Sequence, residues 1–110
     1  MARTSFTGPV ISENGFIVGS GATIAKVLSA SASLNFGSIS AASQADLTIT
    51  VTGAAAGDEV IMALPAAPAA GLVFNAFVSA ANTVTIRASN ITGSPVDPAA
   101  ATYGVIVLAA

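Results

Sequence analysis

Between Leu28 and Phe36 apolar and polar residues alternate without a break. Leu28, Ala30, Ala32, Leu34 and Phe36 face Ser29, Ser31, Ser33 and Asn35. A strict period of two puts one set against a core and the other toward solvent, so the segment reads as a half-buried strand. The same pattern recurs from Asp46 to Thr52, where Leu47, Ile49 and Val51 alternate with threonines suited to an exposed pleated surface. Asp58 to Ala63 predicts a third strand with Val60 and Met62 inward, following a turn over Gly53–Gly57. Leu72, Phe74, Ala76 and Val78 form a fourth buried stripe. Val84, Ile86 and Ala88 form a fifth, and the short Ala80-Ala81-Asn82 link between the two predicts a hairpin. In the last strand Tyr103, Val105 and Val107 alternate with Ile106 and Leu108. That strand is apolar on both faces, which calls for a central position or a covering arm.

Loops separate these runs. Residues 64–71 contain two prolines, which cannot feed a central ladder, and residues 90–101 contain two more with Gly93. No segment carries a helical period. Ala54–Ala56 and Ala66–Ala70 are too short, and bounded too closely by Gly or Pro, to nucleate a helix. The predicted fold is all-β: a small β-sandwich, jelly-roll or Ig-like, of about six to eight strands. It occupies residues 22–110. Residues 1–21 read differently, as an extended N-terminal arm. Thr7-Gly8-Pro9 and Glu13-Asn14-Gly15 are turn signals, and Phe6, Val10, Ile11, Phe16, Ile17 and Val18 lie around them. This stretch is too short for a core of its own, so its apolar residues must bury against something else.

Charge sharpens the picture. Of 110 residues only 7% are charged, three basic and five acidic. A freely soluble small domain carries about 25–35% charged residues on its surface, so the shortfall predicts a surface partly covered by partners, with a neutral surface of Ser, Thr and Asn as the alternative. Three scattered basic residues and a net charge of −2 make no phosphate-binding patch, so nucleic acid is not expected as a partner. Residues 60–86 are uncharged and long enough to cross a bilayer. Pro65, Pro68, Gly71, Asn75 and Asn82 interrupt them, however, so no membrane span is expected. The N-terminal stretch lacks the unbroken apolar run of a signal peptide.

Candidate chemistry is sparse. The absence of Cys and His removes thiolate chemistry, disulfides and the usual zinc ligands and general base. Lys26, the only lysine, has no serine at a recognisable spacing. Asp58 and Glu59 are neighbours on a predicted strand and point to opposite faces. The acidic residues are too scattered for a calcium loop. No enzyme activity, cofactor or metal site is expected. Asn90-Ile91-Thr92 matches a glycosylation acceptor, a match that is common by chance and lacks an export signal here. Phe77 falls on the face opposite Phe74. It is a candidate partner contact, with packing under the arm or in a subunit interface as the simpler explanation. The candidate contact residues are thus Phe6, Val10, Ile11, Phe16, Ile17 and Phe77.

The stretch from Leu34 to Leu108 resembles a small β domain of tailed-bacteriophage structural proteins. The resemblance is carried by the Thr-rich strand Leu47–Gly53 with Asp58, and by the Pro-Ala segment Leu64–Leu72. It continues through Phe77-Val78-Ser79-Ala80-Ala81-Asn82-Thr83-Val84-Thr85-Ile86-Arg87, Asn90-Ile91-Thr92-Gly93 and Val96-Asp97-Pro98. The opening Ser5-Phe6-Thr7-Gly8-Pro9-Val10 with Asn14-Gly15-Phe16 also looks like the start of such proteins. The resemblance implies a virion component, made in the bacterial host cytoplasm and placed on the capsid surface. It implies a capsid decoration (cement) protein that assembles as a homotrimer and ties neighbouring major capsid subunits together. A tail or head-fibre component with a receptor- or carbohydrate-binding role is the alternative it leaves open.

Overall fold

The computed structural model describes residues 3–109. The described chain is all-β, with eight strands and no helix. Two short strands, β1 (Phe16–Ile17) and β2 (Thr23–Ile24), pair antiparallel within the N-terminal region. The body holds β3 (Lys26–Leu34), β4 (Gln44–Thr50), β5 (Glu59–Ala63), β6 (Leu72–Ala80), β7 (Thr83–Asn90) and β8 (Ala101–Ala109). These six form two three-stranded antiparallel sheets, in the orders β3-β8-β5 and β4-β7-β6. The second sheet and the β5-β8 pair have the connectivity of strands B-E-D and C-F of an immunoglobulin sandwich. β3 lies beside β8, where the last strand of that fold would be.

Each period-two stripe read from the sequence faces the space between the sheets. Leu34, Ile49, Val51, Val78, Val84, Ile86, Tyr103, Val105 and Val107 are buried there. Leu28, Ala30, Ala32, Leu47, Val60, Met62, Phe74 and Ala76 pack against them. Phe36, Phe74 and Tyr103 close one end as an aromatic cluster, with centroids 5.6–6.1 Å apart and two of the pairs edge-to-face. Strand β8 takes the central position of its sheet, as a strand apolar on both faces requires. The hairpin between β6 and β7 turns at Asn82, whose φ of 62° lies in the left-handed region that Asn tolerates. The Asn82 side chain accepts a hydrogen bond from Gly53 N at 2.8 Å, tying this turn to the loop after β4.

The loops beyond β7 are fastened by one side chain. Asn90 is 2% exposed. Its Nδ2 donates to the carbonyls of Ile39, Ser40 and Ser94 at 3.0, 3.2 and 2.9 Å. Its Oδ1 accepts from Thr92 N and Thr92 Oγ1 at 2.9 and 2.7 Å. Beside it, Ile39 and Val96 exchange backbone hydrogen bonds. The Asn-Ile-Thr triplet is therefore an internal clamp, and its amide is committed to the fold rather than available for a glycan. Asn90→Asp replaces an amide donor that faces three carbonyls with an acceptor. It is expected to lower the urea unfolding midpoint more than Asn90→Ala, which itself should cost on the order of 2–3 kcal/mol. An Asn90→Asp protein with the wild-type midpoint would contradict the clamp.

Candidate interaction surface

No protein-family model, no curated protein and no solved structure matches this chain. The candidate site must therefore be built from its own geometry.

The arm lies apart from the core. Every residue from 3 to 22 is exposed except Gly15. Phe6, Ile11, Ile17 and Val18 are each more than half exposed, at 69%, 88%, 56% and 80%. Val10 and Phe16 line a groove with Val18, Ile24 and Val27, at the base of the β1–β2 hairpin. The hairpin itself depends on Gly15, which has a φ of 89°. A side chain there would overlap Ile24 O and come within 2.9 Å of Thr23 Cγ2. The hairpin runs through Ile24, two residues past the expected start of the sandwich. The chain then enters β3 through Ala25, whose N–H donates to Ala109 O.

The outer faces of the two sheets differ in kind. On β3-β8-β5 the register sets Val27 beside Leu108, and Ser29 beside Ile106 and Ile61. Ile61 is 55% exposed, Ile106 41% and Val27 63%. Gly104 pairs with Ala63 in the next row, and its missing side chain leaves an open hollow of about 190 Å³ bordered by Ile61, Ala63 and Ile106. The patch runs from the Val27–Leu108 row, near where the chain enters β3, to the Gly104–Ala63 row in the middle of the sheet. Sequence reasoning missed Ile24, Val27, Ile61 and Gly104 as surface residues. The signal that could have found the patch was the double-faced apolar pattern of Tyr103–Leu108, which a central position alone does not bury.

The outer face of β4-β7-β6 is polar over β4 and β7, with Val73 and Phe77 exposed along its β6 edge. Thr48 pairs with Thr85 and Thr50 with Thr83. Asp46 lies directly opposite Arg87 and accepts two hydrogen bonds from it, from Nε and Nη2, each at 2.9 Å. The Arg87 guanidinium lies 5.1 Å from the centre of the Phe77 ring. Arg87 thus lies over one face of the Phe77 ring, which remains 37% exposed. The candidate contacts therefore divide into two places, five on the arm and Phe77 on the polar face.

The remaining polar residues serve local structure. Lys26 Nζ donates to Gly53 O at 3.3 Å, and Asp58 Oδ2 accepts from Ala55 N at 3.0 Å. Burial pushes the Tyr103 hydroxyl above its usual range. Among the described residues, no group of three or more acidic residues gathers to hold a metal ion.

Hydrogen bonds from Arg87 hold the Asp46 carboxyl below its ordinary range. A lowered folded-state pKa adds stability above the unfolded value, about 3.9, and that stability is lost as pH falls through the folded value. Asp46→Asn should therefore lower the urea midpoint at pH 7, and the gap to wild type should close near pH 2. A gap of equal size at both pH values would contradict a charge-based contribution.

Proposed function

We propose that this protein is a structural subunit of a bacteriophage virion, a capsid decoration protein. It binds the outer head surface and stabilises contacts between major capsid subunits. It acts as a homotrimer, carries out no reaction, and takes neither nucleic acid nor membrane as a partner. The observation that carries this reading is the arm: some twenty consecutive residues rich in Phe, Val and Ile, exposed along their length. Apolar surface of that extent on an extended segment needs a partner to cover it. The resemblance of Leu34–Leu108 and of the opening residues to phage structural proteins supplies the kind of partner. In this reading trivalent attachment multiplies a modest contact made by each arm.

A receptor- or carbohydrate-binding role on a tail or fibre would need exposed aromatics near polar loops. Tyr103 is 1% exposed, Phe77 is 37% exposed but is the one aromatic residue on the outer face of its sheet, and the exposed Phe6 and Phe16 lie on the arm, so no cluster of aromatics beside polar loops favours that role over the first.

Deletion of residues 2–20 tests the reading on the particle. The truncated protein should keep its β-sheet circular dichroism and be lost from purified heads. Heads that retain it at full occupancy would overturn the role of the arm in attachment.

A further inference from the structure

We propose that Asn14 is a site of spontaneous covalent modification: it cyclises onto the backbone nitrogen of Gly15, and the isoaspartate that results opens the β1–β2 hairpin of the arm. The reaction runs in the free chain and needs neither the capsid nor a second copy.

Water is the only other reactant. The Gly15 nitrogen attacks the side-chain carbonyl carbon of Asn14. A bond forms between that nitrogen and Cγ, the bond from Cγ to Nδ2 breaks, and ammonia leaves with the proton that the Gly15 N–H gives up. Water then opens the cyclic imide at one of its two carbonyl carbons. Opening at Cγ leaves aspartate in an ordinary chain. Opening at the main-chain carbonyl carbon leaves isoaspartate, in which the chain runs through the former side chain and is longer by one methylene. Neither step changes an oxidation state.

The reaction needs an exposed amide, a nitrogen that is lightly held, and a following residue that lets the backbone fold back onto the side chain. Of the five asparagines in the chain, only Asn14 is followed by glycine. Glycine has no Cβ to obstruct that approach. Asn14 is exposed, in the turn before β1. The Gly15 N–H reaches Ser12 O at 3.4 Å, beyond the usual range of about 2.7–3.2 Å. The other four asparagines are held. Asn35 and Asn82 accept hydrogen bonds from Gly37 N and Gly53 N at 3.1 and 2.8 Å. Asn90 is the buried clamp. Asn75 lies within β6, where the ladder sets it opposite Arg87. Phe36, Ala76, Thr83 and Ile91 follow these four, each with a Cβ.

The effect on the hairpin follows from how closely Gly15 is seated. A Cβ there would overlap Ile24 O and stand 3.1 Å from Ala25 Cα. A methylene inserted into the main chain just before Gly15 displaces it, and with it the pairing of Phe16 with Ile24. Phe16 and Ile24 also line the groove at the base of the hairpin, so the groove is lost with the pairing. Both products add a carboxylate to a chain of net charge −2, so anion exchange separates them from the parent protein.

The full-length protein is incubated at mildly alkaline pH beside a synthetic peptide spanning residues 12–17, which sets the time needed for the reaction. Peptide mapping is expected to show conversion of amide to acid at Asn14 at least about tenfold faster than at any other asparagine, given the glycine that follows it. Isoaspartyl methyltransferase should label the aged protein, and Asn14→Gln should cut that label at least about tenfold without moving the urea midpoint. Conversion in the peptide but not at Asn14 of the protein, or equal conversion at Asn35 or Asn75, would overturn the site. The isoaspartate form is then compared by NMR with Asn14→Asp, which carries the same added charge and no added methylene. Backbone contacts between Phe16 and Ile24 should survive in Asn14→Asp and vanish in the isoaspartate form. Their persistence in the isoaspartate form would overturn the opening of the hairpin.

Discussion

Strand β8 is the element on which the rest of the molecule depends. Its inward residues Tyr103, Val105 and Val107 are all but fully buried and fill the space between the sheets. Its backbone pairs with β3 on one side and β5 on the other, so it joins the first body strand to the third. Its outward residues Ile106 and Leu108 are apolar as well, with only a partial cover of their own chain. One strand thus supplies much of the core and the centre of an exposed apolar face. A sandwich of six short strands can be held by one such core. The outer face contributes nothing to that core until something covers it.

The two sheets divide the remaining work. The β4-β7-β6 sheet carries threonine ladders and an ion pair, and it meets water in the ordinary way. The β3-β8-β5 sheet and the arm carry most of the exposed isoleucines, valines and phenylalanines, with Val73 and Phe77 on β6 and Ile91 in the following loop as the others. With only 7% charged residues, the molecule has little to keep that side solvated.

Much of the body was legible in the sequence because its strands are half-buried. Period-two stripes named the inward residues of every body strand, and the hairpin at Asn82 followed from the short gap between two of them. The short strands β1 and β2 were not legible, since two residues carry no period and their pairing depends on the backbone of Gly15. The clamp at Asn90 was hidden for another reason. A buried amide looks like any loop asparagine until its three carbonyl partners, distant in the chain, are in place. The apolar residues of the arm were legible as a group in need of cover. Their counterpart on Val27, Ile61 and Ile106 was not, because three separate strands must be laid in register before the patch exists. Phe77 was legible as outward-facing, but the stacking of Arg87, ten residues on and across a hairpin, over one face of its ring is something spacing alone does not show.

The central claim is that copies of the chain associate with one another and bury part of the apolar surface that the fold leaves exposed. The most direct measurement is the native mass of the purified, full-length protein by light scattering across a wide range of concentrations. The account predicts a species of three times the chain mass of 10.6 kDa that persists on dilution. A monodisperse monomer at every concentration would contradict it, because the exposed apolar surface would then remain in water without cost.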